Sequence, residues 1–101
     1  MKRLLFVVLF ATLGFTSTIE ARCYSAHVVG LDPYGDNFLA VRTGPSTRYR
    51  QIDSLYSGDR VYICDFDSRW RLVYYGSRCY LERGRAVGRC DSGWVYGRYL
   101  R

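Results

Sequence analysis

The sequence predicts a small all-β domain held together by disulfides, and three observations predict it. Short apolar runs alternate residue by residue, as in half-buried strands. Dense turn-forming stretches separate them: Asp32-Pro33-Tyr34-Gly35-Asp36-Asn37, Thr43-Gly44-Pro45-Ser46, Tyr56-Ser57-Gly58-Asp59 and Asp65-Phe66-Asp67-Ser68-Arg69. Beyond residue 21 no stretch sustains helical periodicity, and all four cysteines of the 101-residue chain lie there.

The first element stands apart from that fold. Met1-Lys2-Arg3 opens a short basic region, and Leu4 to Phe15 form an apolar core of roughly a dozen residues, too short to span a bilayer as a helix. Polar Thr16, Ser17 and Thr18 follow, then Ala21. Residues 1–21 read as a cleaved secretory signal peptide, with Ile19 at the −3 position. Cys23 invites a lipid anchor, but Glu20-Ala21-Arg22 lacks the small and apolar residues such a site requires. The expectation is an exported protein, periplasmic or secreted, with no stable membrane insertion after cleavage; an uncleaved anchor is the alternative. Without Lys2, Arg3 and Glu20, the 15 basic and nine acidic side chains become 13 and eight, a net charge of +5, and every remaining base is arginine.

Residues 22–101 then read as one domain. Ala26 to Leu31 form an opening strand. In the turn after it, Tyr34 reads first as a loop anchor packed on the body of the fold and second as an exposed recognition aromatic. Phe38 to Leu55 is strand, rigid turn, strand: Gly44 tolerates a bent backbone, Pro45 fixes φ, and Ser46 and Thr47 can bond back to the turn. Val61 and Ile63 face one way, Tyr62 and Cys64 the other. Trp70, Leu72 and Tyr74 likewise oppose Arg71, Val73 and Tyr75. The Arg- and Gly-rich segment from Gly76 to Ser92 shows no strong alternation and reads first as a plain loop. Trp94 reads as core, and Tyr96 to Tyr99 as at most one helical turn.

A chain of about 80 residues buries only about two-thirds or less of its unfolded surface, so staples are expected. Export and an even cysteine count favour disulfides. Three pairings are possible. Cys79–Cys90 is favoured because it brackets Tyr80 to Arg89, which have little apolar content to hold themselves down; Cys23–Cys64 then ties the first strand to a middle one. On the loop-entropy model each contributes about 3–4 kcal/mol. No close C-x-x-C pair occurs and His27 is the sole histidine, so no metal and no other cofactor is expected.

Nothing in the chain asks for catalysis. His27 lies on an apolar strand and reads as a packed or edge residue, oxidised cysteines cannot attack, and the pairs Asp65/Asp67 and Asp32/Asp36 sit in turns, where Asp bonds the backbone. Binding is better supported. Ten tyrosines are a heavy load for this size; each offers a flat apolar face with a polar tip, and arginine adds a planar fork for carboxylates.

The ordered set Val41-Arg42-Thr43-Gly44-Pro45-Ser46-Thr47, Tyr49, Ile52, Leu55, Gly58-Asp59-Arg60-Val61, Trp70-Arg71-Leu72-Val73, Gly93-Trp94-Val95 and Tyr99-Leu100 resembles the bacterial SH3-like (SH3b) family. It departs from that pattern at Ala40, where Asn is usual, and in the segment between Tyr75 and Gly93. The resemblance implies an SH3-like barrel of five to seven short antiparallel strands over residues 22–101, and a non-catalytic module recognising peptidoglycan or a cell-envelope peptide. By the same resemblance Trp70 opens a central strand beside the groove and Tyr99 closes it, while Tyr49 flanks the same concavity. For Trp70, core packing is an equal reading. Arg42 and Arg48 are candidates to meet peptide carboxylates, and solvated charge is the plainer reading of either alone. The alternative is a periplasmic interaction factor, of immunity or inhibitor type, binding an envelope protein through the 79–90 loop. Nucleic acid is not expected, because the chain is exported and its charges interleave with Asp.

Overall fold

The computed structural model describes residues 22–101, and the expected signal peptide lies outside them. Six antiparallel strands form one curled sheet, a half-barrel: β1 (Tyr24–His27), β2 (Leu39–Arg42), β3 (Gln51–Leu55), β4 (Arg60–Asp67), β5 (Trp70–Glu82) and β6 (Arg85–Tyr96). Their order across the sheet is β1-β4-β5-β6-β2-β3. A single 3-10 turn, Gly97–Tyr99, follows β6. The chain end then returns to β1: His27 and Arg101 exchange both backbone hydrogen bonds, at 2.8 and 2.9 Å. No helix among the described residues is long and apolar enough to cross a membrane.

Alternation selects the core. Val41, Val61, Val73 and Val95 are fully buried on the concave face, joined by Val28 and by Leu39, Leu55, Ile63 and Tyr75. Apart from Leu39 and Leu55, these are β-branched and aromatic side chains that fit a pleated, half-buried surface. Trp94 departs from its sequence reading. It precedes Val95 on β6 and so projects from the opposite face, where it is only partly buried. The core instead admits Gly93, whose missing side chain makes room for Val41.

The larger correction concerns residues 76–92. They are not a loop but the outer half of a long β5–β6 hairpin, paired from Arg78↔Arg89 to Glu82↔Arg85. Arg83 and Gly84 turn the chain, both at positive φ (53° and 78°), the backbone of a type I′ turn. Gly76 and Ser77 together oppose Cys90, a bulge that bends the hairpin out of the barrel. The resulting arm lies over the outer face of β4: Tyr62 donates its hydroxyl to the Cys79 carbonyl at 3.5 Å, and Cys23 N–H donates to Gly84 O at 2.8 Å. Tyr62 and Cys79 are thereby buried outside the main core.

Both expected disulfides are present, Cys23–Cys64 and Cys79–Cys90, and no described cysteine is free. The first ties β1 to β4 beside the arm's tip. The second braces the arm just above its bulge.

Candidate functional site

A groove of about 880 Å3 runs over the outer face of the sheet, between the loop that precedes β2 and the loop that joins β2 to β3. Register builds its floor. Trp70 at the start of β5 stands directly opposite Tyr96 at the end of β6, and their rings meet edge to face with centroids 5.6 Å apart. Tyr99 on the 3-10 turn tilts against Tyr96 at 6.2 Å, extending the aromatic surface. Phe38 and Ala40 continue it at β2. Such rings offer flat apolar faces, with the tyrosine hydroxyls as polar tips.

The two walls carry opposite charge. The loop before β2 contributes Asp32 and Asp36; the loop after it contributes Arg48, with Ser46 and Thr47. Asp32 accepts a bond from Tyr34 N–H at 2.9 Å, so its carboxylate shapes its own turn. Arg48 has no side-chain hydrogen bond or ion pair among the described residues, and neither has Asp36. Both charges are available to a ligand.

Of the residues singled out from the sequence, Trp70, Tyr99, Arg42 and Arg48 come together in this groove, and Tyr49 and Tyr34 do not. Trp70 is partly buried, lies outside the core cluster and lines the groove. Tyr99 does both jobs, packing against the core on one side and lining the groove on the other. Arg42 lines the groove but spends its guanidinium on the adjacent loop, donating to Tyr49 O at 3.0 Å and Thr47 O at 3.5 Å. It therefore fixes the wall that presents Arg48.

Tyr49 lies flat on the turn instead, because a Cβ at Gly44 would fall 2.5 to 2.6 Å from three of its ring carbons. Tyr34 corrects the anchor reading outright, being 98% exposed at its loop tip. His27 is exposed on β1, which pairs with β4 alone among the strands. Among the described residues no three His, Cys, Asp or Glu side chains group so as to hold a metal ion.

Sequence reasoning missed Tyr96, the central ring of the floor. Its place depends on the β5–β6 register, which follows from the hairpin that the sequence reading took for a loop. The pattern Leu81-Glu82-Arg83-Gly84-Arg85-Ala86, with an X-Gly pair at its centre, was the available signal.

In comparisons with protein-family models, curated proteins and solved structures, nothing matches the chain.

Proposed function

We propose that this chain is an exported, non-catalytic binding module with an SH3-like barrel, and that its groove holds an extended peptide of the cell wall or envelope. One observation carries the reading: a floor of three aromatic rings lies between walls bearing an unpaired carboxylate, Asp36, and an unpaired guanidinium, Arg48. An extended peptide with free amino and carboxylate groups suits such a surface. Its apolar parts cover the rings, and its charges meet opposite charges at the rims, where they fix orientation more than they add affinity. Two disulfides, together with the basic and apolar start of the sequence, support a periplasmic or secreted location.

The test is co-sedimentation of the oxidised protein with purified peptidoglycan at low and high salt. Retention that survives high salt supports the aromatic groove. Retention lost with salt reports only a basic protein on an acidic polymer, and counts against the groove.

A second reading draws on the arm. Tyr80 and Leu81 are exposed there, at 52% and 36%, on a hairpin braced by Cys79–Cys90. A disulfide-braced hairpin that presents an exposed aromatic suits an inhibitor or immunity factor, because aromatic side chains are enriched among the residues that dominate protein interfaces. Stoichiometric binding of one envelope protein, lost when residues 80–87 are replaced by a short turn, would favour this reading over the groove.

A further inference from the structure

Arg78 and Arg89 stand directly opposite each other across β5 and β6, so their side chains leave the same face of the hairpin. Directly opposed residues place their Cβ atoms about 5 Å apart, and like charges in that position repel. Neither guanidinium has a hydrogen bond, ion pair or ring contact among the described residues. Asp91 borders the same concavity without forming an ion pair to either.

The backbone holds this pair together. Each arginine immediately precedes one cysteine of the Cys79–Cys90 bond, so the disulfide locks the two strands beside them. Gly88 takes φ +95°, and a Cβ there would collide with the carbonyl oxygen of Arg78, so the strands approach more closely than a side chain would allow. Next to the pair, the Gly76-Ser77 bulge opens a shallow concavity of about 470 Å3, lined by both arginines, Ser77 and Cys90. The ring of Tyr80, half exposed on the same face, lies over Gly88. Two unpaired, planar, permanently charged forks side by side match a compact dianion better than a carboxylate, which one fork satisfies alone.

We propose that Arg78 and Arg89 form an anion site for the phosphate dianion, either as free phosphate or as a phosphate monoester whose remainder lies on Tyr80. The site is separate from the groove and stands whether or not the groove binds peptide.

The test titrates the oxidised protein at pH 8 and low ionic strength with inorganic phosphate, glucose 1-phosphate and, at matched ionic strength, acetate. Backbone amides and arginine Nε–H groups are followed by NMR. Both phosphates are expected to give saturating shifts at residues 76–78 and 88–91 and at the two arginine side chains, with acetate weaker by roughly tenfold or more. Arg89→Gln is expected to lower phosphate affinity by a similar factor while Tm stays level or rises, since a repulsion is removed. Tighter binding of the sugar phosphate that Tyr80→Ala abolishes assigns the site to an ester; equal affinities assign it to the phosphate group alone. Acetate binding as well as phosphate, shifts spread evenly over all exposed arginines, or an Arg89→Gln protein with unchanged affinity would overturn the proposal.

Discussion

Tyr75 donates its phenolic hydrogen to Asp53 Oδ2 at 2.8 Å, joining β5 to β3 although β6 and β2 separate them in the sheet. The bond crosses the concave face and holds the outer strand of the half-barrel. Burial, and then the bond to Asp53 with that carboxylate's charge, push the phenol well above its ordinary range, with Asp91 adding to the effect. In the unfolded chain the same tyrosine loses its proton near pH 10. The folded protein keeps it, so the unfolded state binds fewer protons above that pH, and stability falls as pH rises. Below about pH 10 this contribution is fully present. Tyr75→Phe is expected to lower Tm at pH 8 by a few degrees, for a bond worth about 1 kcal/mol, and to flatten the decline of Tm as pH rises from about 10 upward. Thermal melts of both proteins across that range check it; parallel declines would place the alkaline loss in another group.

The groove makes a different demand. Trp70 lies outside the core cluster and meets Tyr96 edge to face, so if the groove binds peptide as proposed, Trp70→Ala is expected to cost about 1 kcal/mol of stability while removing most of the peptidoglycan retention that survives high salt. Arg48→Glu, at an exposed position with no partner among the described residues, should leave Tm within about a degree and weaken peptide binding severalfold. Global unfolding of the Trp70→Ala protein, seen by circular dichroism, would assign the ring to the core.

How much of this the sequence revealed depends on the distance over which each feature is encoded. The alternation at Leu39 to Val41, Val61 to Ile63 and Val73 to Tyr75 is local, and so are the turn formers between them; these were legible. So was the pairing of the cysteines. The arm was not, because its strands mix Arg78, Tyr80, Val87 and Arg89 on one face and set only Leu81 and small residues, Cys79, Ala86 and Gly88, on the other, which leaves little apolar contrast to read. Its stability comes instead from the disulfide and from the bond of its tip to Cys23. Of the site, Trp70 and Tyr99 were visible as aromatics at motif positions. That Tyr96 lies between them, and that Tyr49 turns away, follows from register and from one ring's contact with Gly44, neither of which has a local signature.

The two disulfides are expected to differ in reach. Cys23–Cys64 closes 41 residues and Cys79–Cys90 closes 11. On the chain-entropy model these are worth about 4 and about 3 kcal/mol. Cys79 lies outside the main core cluster, so Cys79→Ser with Cys90→Ser should loosen the arm while the barrel stays folded. Hydrogen exchange is expected to accelerate over 76–92 and to remain slow at Val61, Val73 and Val95. Cys23→Ser with Cys64→Ser should lower the global Tm more. Acceleration spread evenly through the core of the first variant would show that the arm and the barrel unfold as one unit.

Gly44 and Tyr49 provide the sharpest test of why the central turn is built as it is. Gly44 is buried and not at positive φ, so glycine is required there by the ring lying on it and not by the backbone conformation. Gly44→Ala must displace the ring and is expected to cost about 1–3 kcal/mol. Tyr49→Ala loses the packing of a half-exposed ring, about 1 kcal/mol. Once the ring is gone the added methyl has room, so the double variant should be less destabilised than the two single losses added together, by about 1 kcal/mol or more. Denaturant melts of the four proteins measure the coupling. Simple additivity would mean that Gly44 is needed for the turn's backbone after all, and that Tyr49 is free to swing toward the groove.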